Sequence, residues 1–116
     1  MSLRECYERL GADYEDMFSR IGNEGLMKKF LQMFLEDESY AQLLQALKEE
    51  KAEEAFRAAH TLKGVALNLA LTKLVSSASG LTETLRGGKI PDNIADMVEA
   101  VTKDYEQTVK AIAELE

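Results

Sequence analysis

Few residues in this chain could do chemistry, and the best candidates lie close together. The sequence holds one His, His60, one Cys, Cys6, and no Trp. Three and four residues after His60 come Lys63 and Gly64. A neutral imidazole is a competent nucleophile near pH 7, because its pKa lies close to that value. A Lys one turn along would offset negative charge gathered at the ring. Gly in a helix interior costs about 0.5–1 kcal/mol relative to Ala, so a helical Gly64 needs a reason. One reason is space for a second molecule to approach the helix backbone beside His60. The plainer alternatives are a surface His, a solvated Lys and a Gly that only lets helices pack closely. Spacing alone does not choose between these sets.

The same inventory excludes other chemistry. One Cys rules out an internal disulfide framework and a Cys-rich zinc site. One His rules out the two-His metal motifs of many hydrolases. Carboxylate-metal bundles use Glu-x-x-His, and here the residue three before His60 is Arg57. A Cys/His hydrolase would need a third orienting group beside Cys6 and His60, and none is identifiable. With 21 acidic residues against 14 basic ones, the net charge is -7, a poor match for a phosphate backbone, so no nucleic-acid partner is expected. No run of about 18 apolar residues exists, so no transmembrane helix is expected. The segment Met1-Ser2-Leu3-Arg4-Glu5 has no apolar core of a secretory signal. A free Cys6 suits a reducing compartment, and a cytoplasmic location is the expectation.

The elements that must position His60 read as helix almost throughout. The chain has 116 residues, 46% of them apolar, with one Pro and seven Gly. That is one domain's length and enough for one core. Ser2 and Glu5 form a capping-box pattern, and Gly11 can end a first short helix. Asp13 can start a second, carrying Tyr14, Met17, Phe18 and Ile21, which Gly22 can end. From Asn23 to about Glu49 one helix is expected, possible kink near Asp37 included. Its face would carry Met27, Phe30, Leu31 and Phe34, then Ala41, Leu44 and Leu47. Ser39 followed by Gln42 offers a restart inside it. A helix over about Ala52–Leu69 has core positions Ala52, Ala55, Ala59, Leu62, Ala66 and Leu69. The next carries Leu71, Leu74, Val75, Ala78, Leu81 and Leu85, and Gly87-Gly88 close it. Asp92 would start the last, with Ile94, Met97, Val98, Val101, Tyr105, Thr108, Ile112 and Leu115 in a nearly heptad series.

Four long amphipathic segments with short loops imply an all-α fold, an antiparallel up-down four-helix bundle. One or two short N-terminal helices would cap one end. The expected organisation is a single domain over 1–116, with capping helices in 1–22 and the bundle in 23–116. On the Ala52–Leu69 helix, His60 lies about 130° from the mean direction of the core positions. It therefore faces out of the bundle. Phe56 comes one turn before it, Gly64 one turn after on the same face, Lys63 on the flank and Leu67 one turn further.

The run Ala59-His60-Thr61-Leu62-Lys63-Gly64 closely resembles the signature of histidine-containing phosphotransfer (HPt) domains, His-x-Leu-Lys-Gly. The flanking Ala55-Phe56-Arg57-Ala58-Ala59 and Asn68-Leu69 agree with it. So do Leu10-Gly11-Ala12-Asp13, Arg20-Ile21-Gly22 and Phe34-Leu35-Glu36-Asp37, which resemble stand-alone bacterial HPt proteins. The departures are Val65 and Leu67, where the family often has small residues, and Ala70, where it commonly has Gly. Larger side chains at 65 and 67 would enlarge an apolar docking surface, and Ala70 would continue or end the helix.

The resemblance implies a phosphorelay role. His60 would accept a phosphoryl group from the aspartyl phosphate of a receiver domain and pass it to another receiver. Lys63 would neutralise phosphoryl charge, Gly64 would let the receiver close over the helix, and Phe56 and Leu67 would help it dock. The partners implied are receiver domains of response regulators or hybrid sensor kinases. Mg²⁺ would sit on the receiver, and no cofactor or metal is expected on this chain. A monomer that stands free in the cell is expected. No Gly-rich nucleotide loop is present, and Thr61-Leu62 after His60 differ from sensor-kinase dimerisation helices, so no ATP-dependent kinase activity is expected. The competing reading is a non-catalytic helical adaptor that docks a signalling partner.

Overall fold

The computed structural model describes all residues, 1–116. It contains seven α-helices and no strand. These are α1 (Leu3–Leu10), α2 (Tyr14–Ile21), α3 (Glu24–Glu36), α4 (Ser39–Lys48), α5 (Ala52–Asn68), α6 (Thr72–Leu85) and α7 (Ala95–Ala113).

The N-terminal helices begin and end where local chemistry says they should. The Ser2 hydroxyl accepts from the Glu5 N–H while the Glu5 carboxylate accepts from the Ser2 N–H, a complete capping box. Gly11 at φ 63° supplies the left-handed residue that ends α1. Asp13 caps α2 through the Asp16 N–H, and Asn23 caps α3 through the Leu26 N–H.

The expected helix over Asn23–Glu49 is two helices rather than one kinked one. Asp37 adopts an extended backbone, φ -69° and ψ 132°, and the chain leaves the helix there. Its carboxylate then accepts from the Ser39 N–H at 2.9 Å and from the Ser39 hydroxyl, so the break is held by the residue that makes it. The interruption resets the helical phase. Leu43 and Ala46 of α4 are buried, whereas Ala41 and Leu44 of the expected stripe are exposed and Leu47 is half-buried.

The last helix also starts later than expected. Asp92 lies in a turn after Pro91, with the Ile94 N–H donating to the Pro91 carbonyl, and α7 begins at Ala95 without a side-chain cap. The core face of α7 still follows the expected series: Val101, Thr108 and Ile112 are buried, and Met97, Val98 and Tyr105 are partly buried.

Helix α5 sits at the centre of the packing, between α4 and α6, and α7 packs on α6, α1 and α3. Its inward residues Ala55, Ala59, Leu62 and Ala66 are fully buried, as their 3.6-residue spacing requires. Small alanines on that face allow neighbouring helices a close approach. Tyr40 of α4 stacks on Tyr105 of α7 at 4.0 Å between centroids and donates to the Thr102 hydroxyl. The N-terminal helices are tied to the end of α5: the buried Tyr7 hydroxyl donates to the Leu69 carbonyl and the Asp13 N–H donates to the Ala70 carbonyl. Cys6 is free and buried, and burial pushes its thiol up, so it is a packing residue at neutral pH.

Of the two outcomes expected for Ala70, continuing or ending the helix, the structure has the second: α5 stops at Asn68. Ala70 stands at φ 57°, in the left-handed region, with its N–H donating to the Leu67 carbonyl and the Leu71 N–H donating to the Ala66 carbonyl. That is a Schellman ending with Ala in the place that favours Gly. Glu50 ends α4 the same way, also at φ 57°.

Candidate functional site

The outward face of α5 carries the residues singled out by the sequence. His60 is exposed, one turn beyond Phe56, which is half-buried. Their rings lie nearly parallel, 19° apart, with centroids separated by 6.0 Å. Lys63 and Gly64 follow on the next turn, each half-buried, and Leu67 is 56% exposed beyond them. One helix thus presents all five, and its inward alanines and Leu62 fix which way they point.

Gly64 separates two explanations. A Cβ built at Gly64 would meet no atom within 4 Å. By contrast, one at Gly80 would lie 3.5 Å from the Met97 methyl. Internal packing therefore does not require Gly at position 64, and the helix cost of Gly is not offset by any contact within the chain. The space above the backbone there is open.

The C-terminal end of α6 and its cap residue add side chains that sequence reasoning missed. The Arg86 guanidinium lies over the Phe56 ring, 5.1 Å from its centroid. Glu83 grips that guanidinium at two points, with Arg86 Nε donating to Oε2 at 3.0 Å and Nη2 donating to Oε1 at 2.9 Å. Arg86 holds the Glu83 carboxyl below the usual carboxylate range, and Lys63 and His60 add to that pull across the helix pair. A carboxyl whose pKa is depressed stays ionised at neutral pH, and the clamp is lost only as pH falls through that depressed value. In sequence, Glu83-x-x-Arg86 reads as an ordinary surface pair on a helix. Only the packing of α6 on α5 carries it to Phe56.

A second missed feature lies at the far end of α5. A groove of about 440 Å³ is lined by Ile21, Phe30, Met33, Val65 and Asn68, with Arg20 and Asp37 at its polar margin. Val65, one of the family departures, is part of its wall. Met33 is 53% exposed at this groove.

The chain matches the model of the Hpt domain family over residues 27–114, most of its length and including the whole of α5. It belongs to that family. Hpt domains carry out histidine phosphotransfer in phosphorelay signalling as intermediates rather than kinases, and they interact with receiver domains. No curated protein and no solved structure gives a significant match to the chain. No helix is long and apolar enough to cross a membrane.

Proposed function

We propose that His60 is the phosphoryl-accepting residue of this Hpt domain. The observation that carries the reading is an exposed imidazole one turn from a helical Gly64 above which the chain itself leaves open space. The Nε2 lone pair attacks the phosphorus of a receiver's aspartyl phosphate. An N–P bond forms as the acyl phosphate O–P bond breaks, and the Asp carboxylate leaves with the bonding pair. The three other phosphoryl oxygens are carried over, and the Nδ1 proton stays on the ring or passes to water. The reverse sequence hands the group to a second receiver. Such a transfer depends on alignment and charge neutralisation, with little other covalent chemistry for the protein to do.

Lys63 supplies positive charge on the phosphoryl side, and Gly64 lets the receiver surface close over α5. Phe56 and the exposed Leu67 are docking contacts. The groove beside Val65 extends an apolar surface away from them. Mg²⁺ belongs to the receiver. The chain works as one domain, its N-terminal helices in 1–22 covering one end of an antiparallel up-down four-helix bundle. Dimensions of 41 × 23 × 21 Å fit helices aligned along one axis. A cytoplasmic monomer exchanging phosphoryl groups with receiver domains of response regulators or hybrid sensor kinases fits the family.

The test is a transfer reaction. A receiver domain is charged with phosphate in Mg²⁺ and mixed with this protein. The expected product is an acid-labile, alkali-stable label on the protein. Failure to take label from any of a panel of phosphorylated receivers, with docking retained, would replace this reading by that of an adaptor.

A further inference from the structure

His60 terminates a stack that begins on the neighbouring helix. The order is Glu83 carboxylate, Arg86 guanidinium, Phe56 ring, His60 imidazole, running from α6 to α5. Each layer lies beside the next, with the guanidinium carbon 5.1 Å from the Phe56 centroid and the two ring centroids 6.0 Å apart. The two-point grip of Glu83 fixes the plane of the guanidinium, which a single ammonium could not match. The guanidinium in turn sits over an aromatic face, an attractive arrangement. The phenyl ring then lies nearly parallel to the imidazole, at 19°.

An exposed His on a helix is otherwise loosely held, because its outer side-chain torsion is broad. In-line attack on phosphorus tolerates little misalignment. We propose that Phe56 and Arg86 are positioning residues, which orient the His60 imidazole for attack before any partner arrives. The inference rests on the reading of His60 as phosphoryl acceptor. It assigns Phe56 a second task besides docking, and it assigns Arg86 a task other than binding the phosphoryl group. Glu83 holds the Nε–Nη2 edge of the guanidinium, and the proposal has Arg86 act through the ring it covers.

Two measurements test this. The first is single-turnover transfer from a phosphorylated receiver domain at varied receiver concentration, which separates the limiting rate from the half-saturating concentration. Phe56→Leu and Arg86→Ala should each lower the limiting rate by about three- to tenfold; half-saturation should change little in Arg86→Ala and rise in Phe56→Leu, which also loses a docking contact. Phe56→Tyr should restore the rate, since it keeps the flat face. Arg86→Lys should behave like Arg86→Ala, since it keeps the charge and loses the fork. The second is the position of the His60 ring-proton resonances in the protein alone, which should move in Phe56→Leu and in Arg86→Ala.

A changed half-saturation with an unchanged limiting rate would make Phe56 a docking residue only and overturn the proposal. Wild-type rate in Arg86→Lys with loss in Arg86→Ala would assign Arg86 to charge and overturn its positioning role. Unmoved His60 resonances in Arg86→Ala would show that Arg86 does not hold the stack. If the wild-type protein takes no phosphoryl group at all, the phosphotransfer reading fails, and the stack loses its catalytic purpose whatever the resonances report.

Discussion

The two faces of α5 obey different rules. The inward face is a row of Ala55, Ala59, Leu62 and Ala66, each at 0% exposure, selected by what fits between α4 and α6. The outward face carries Phe56, His60, Gly64 and Leu67, and no packing demand within the chain accounts for His60 or Gly64. On the inward face a substitution is a stability event. On the outward face, under the proposed function, it should be a transfer event, and at Gly64 the two quantities should move in opposite directions. Neighbours in sequence, Ala55 and Phe56, Ala59 and His60, Ala66 and Leu67, thus fall on opposite faces.

The strongest way to break that division is Leu62→Ala. Truncating a fully buried Leu should cost about 2–5 kcal/mol of unfolding free energy, read from urea denaturation, while the fraction that remains folded transfers phosphate normally. A transfer defect larger than the folded fraction explains would blur the two faces. Next comes Gly64→Gln, which should slow transfer by about tenfold through misplacement of the receiver. Circular dichroism should show the helical content unchanged. Gly64→Ala should sharpen the contrast further: it should stabilise the protein by about 0.5–1 kcal/mol, since its Cβ meets nothing, and still slow transfer. Stability gained with no loss of rate would remove the close-approach account of this residue.

Lys63→Ala should lower the transfer rate severalfold while changing stability by less than about 0.5 kcal/mol, as expected for a surface charge. Equal rates would reduce Lys63 to a solvated side chain. The smallest effect on transfer is expected in the turn between α4 and α5, at Glu50. This exposed residue ends α4 at φ 57°, and Glu50→Gly should stabilise by about 0.5–1 kcal/mol, measured in the same denaturation series, with transfer untouched.

The inward face of α5 was legible in the sequence because burial imposes a 3.6-residue period on apolar positions, and His60 then had to face outward. The caps at Ser2, Asp13 and Asn23 were legible because they are local, each closing a hydrogen bond within three residues. The break after Glu36 was less so. The acidic run Glu36-Asp37-Glu38 interrupts the apolar stripe, but the bond from the Ser39 N–H to Asp37 that fixes the break competes with helix continuation, and its outcome shifts the buried face of α4 from Ala41 and Leu44 to Leu43 and Ala46. Asp92 looked like a cap and became part of a turn instead, because Pro91 starts a turn four residues before the helix.

Ala70 and the Glu83–Arg86 pair show the other limits. A left-handed Ala leaves no compositional mark of its own, so its role emerges only from the backbone around the α5–α6 turn. Glu83 and Arg86 reach Phe56 through tertiary packing between helices, which no periodicity on α6 reports. The candidate His60 was visible in the sequence, whereas the pair packed over its neighbour Phe56 was not.

The central claim is that the outward face of α5 carries phosphate on His60. It is tested most directly by locating the phosphoryl group after transfer from a phosphorylated receiver in Mg²⁺, using phosphorus NMR with peptide mapping at alkaline pH. The account predicts one phosphoramidate signal that maps to the peptide containing His60 and vanishes in a folded His60→Gln variant. Label that persists in His60→Gln, or that maps to any other residue, would contradict it.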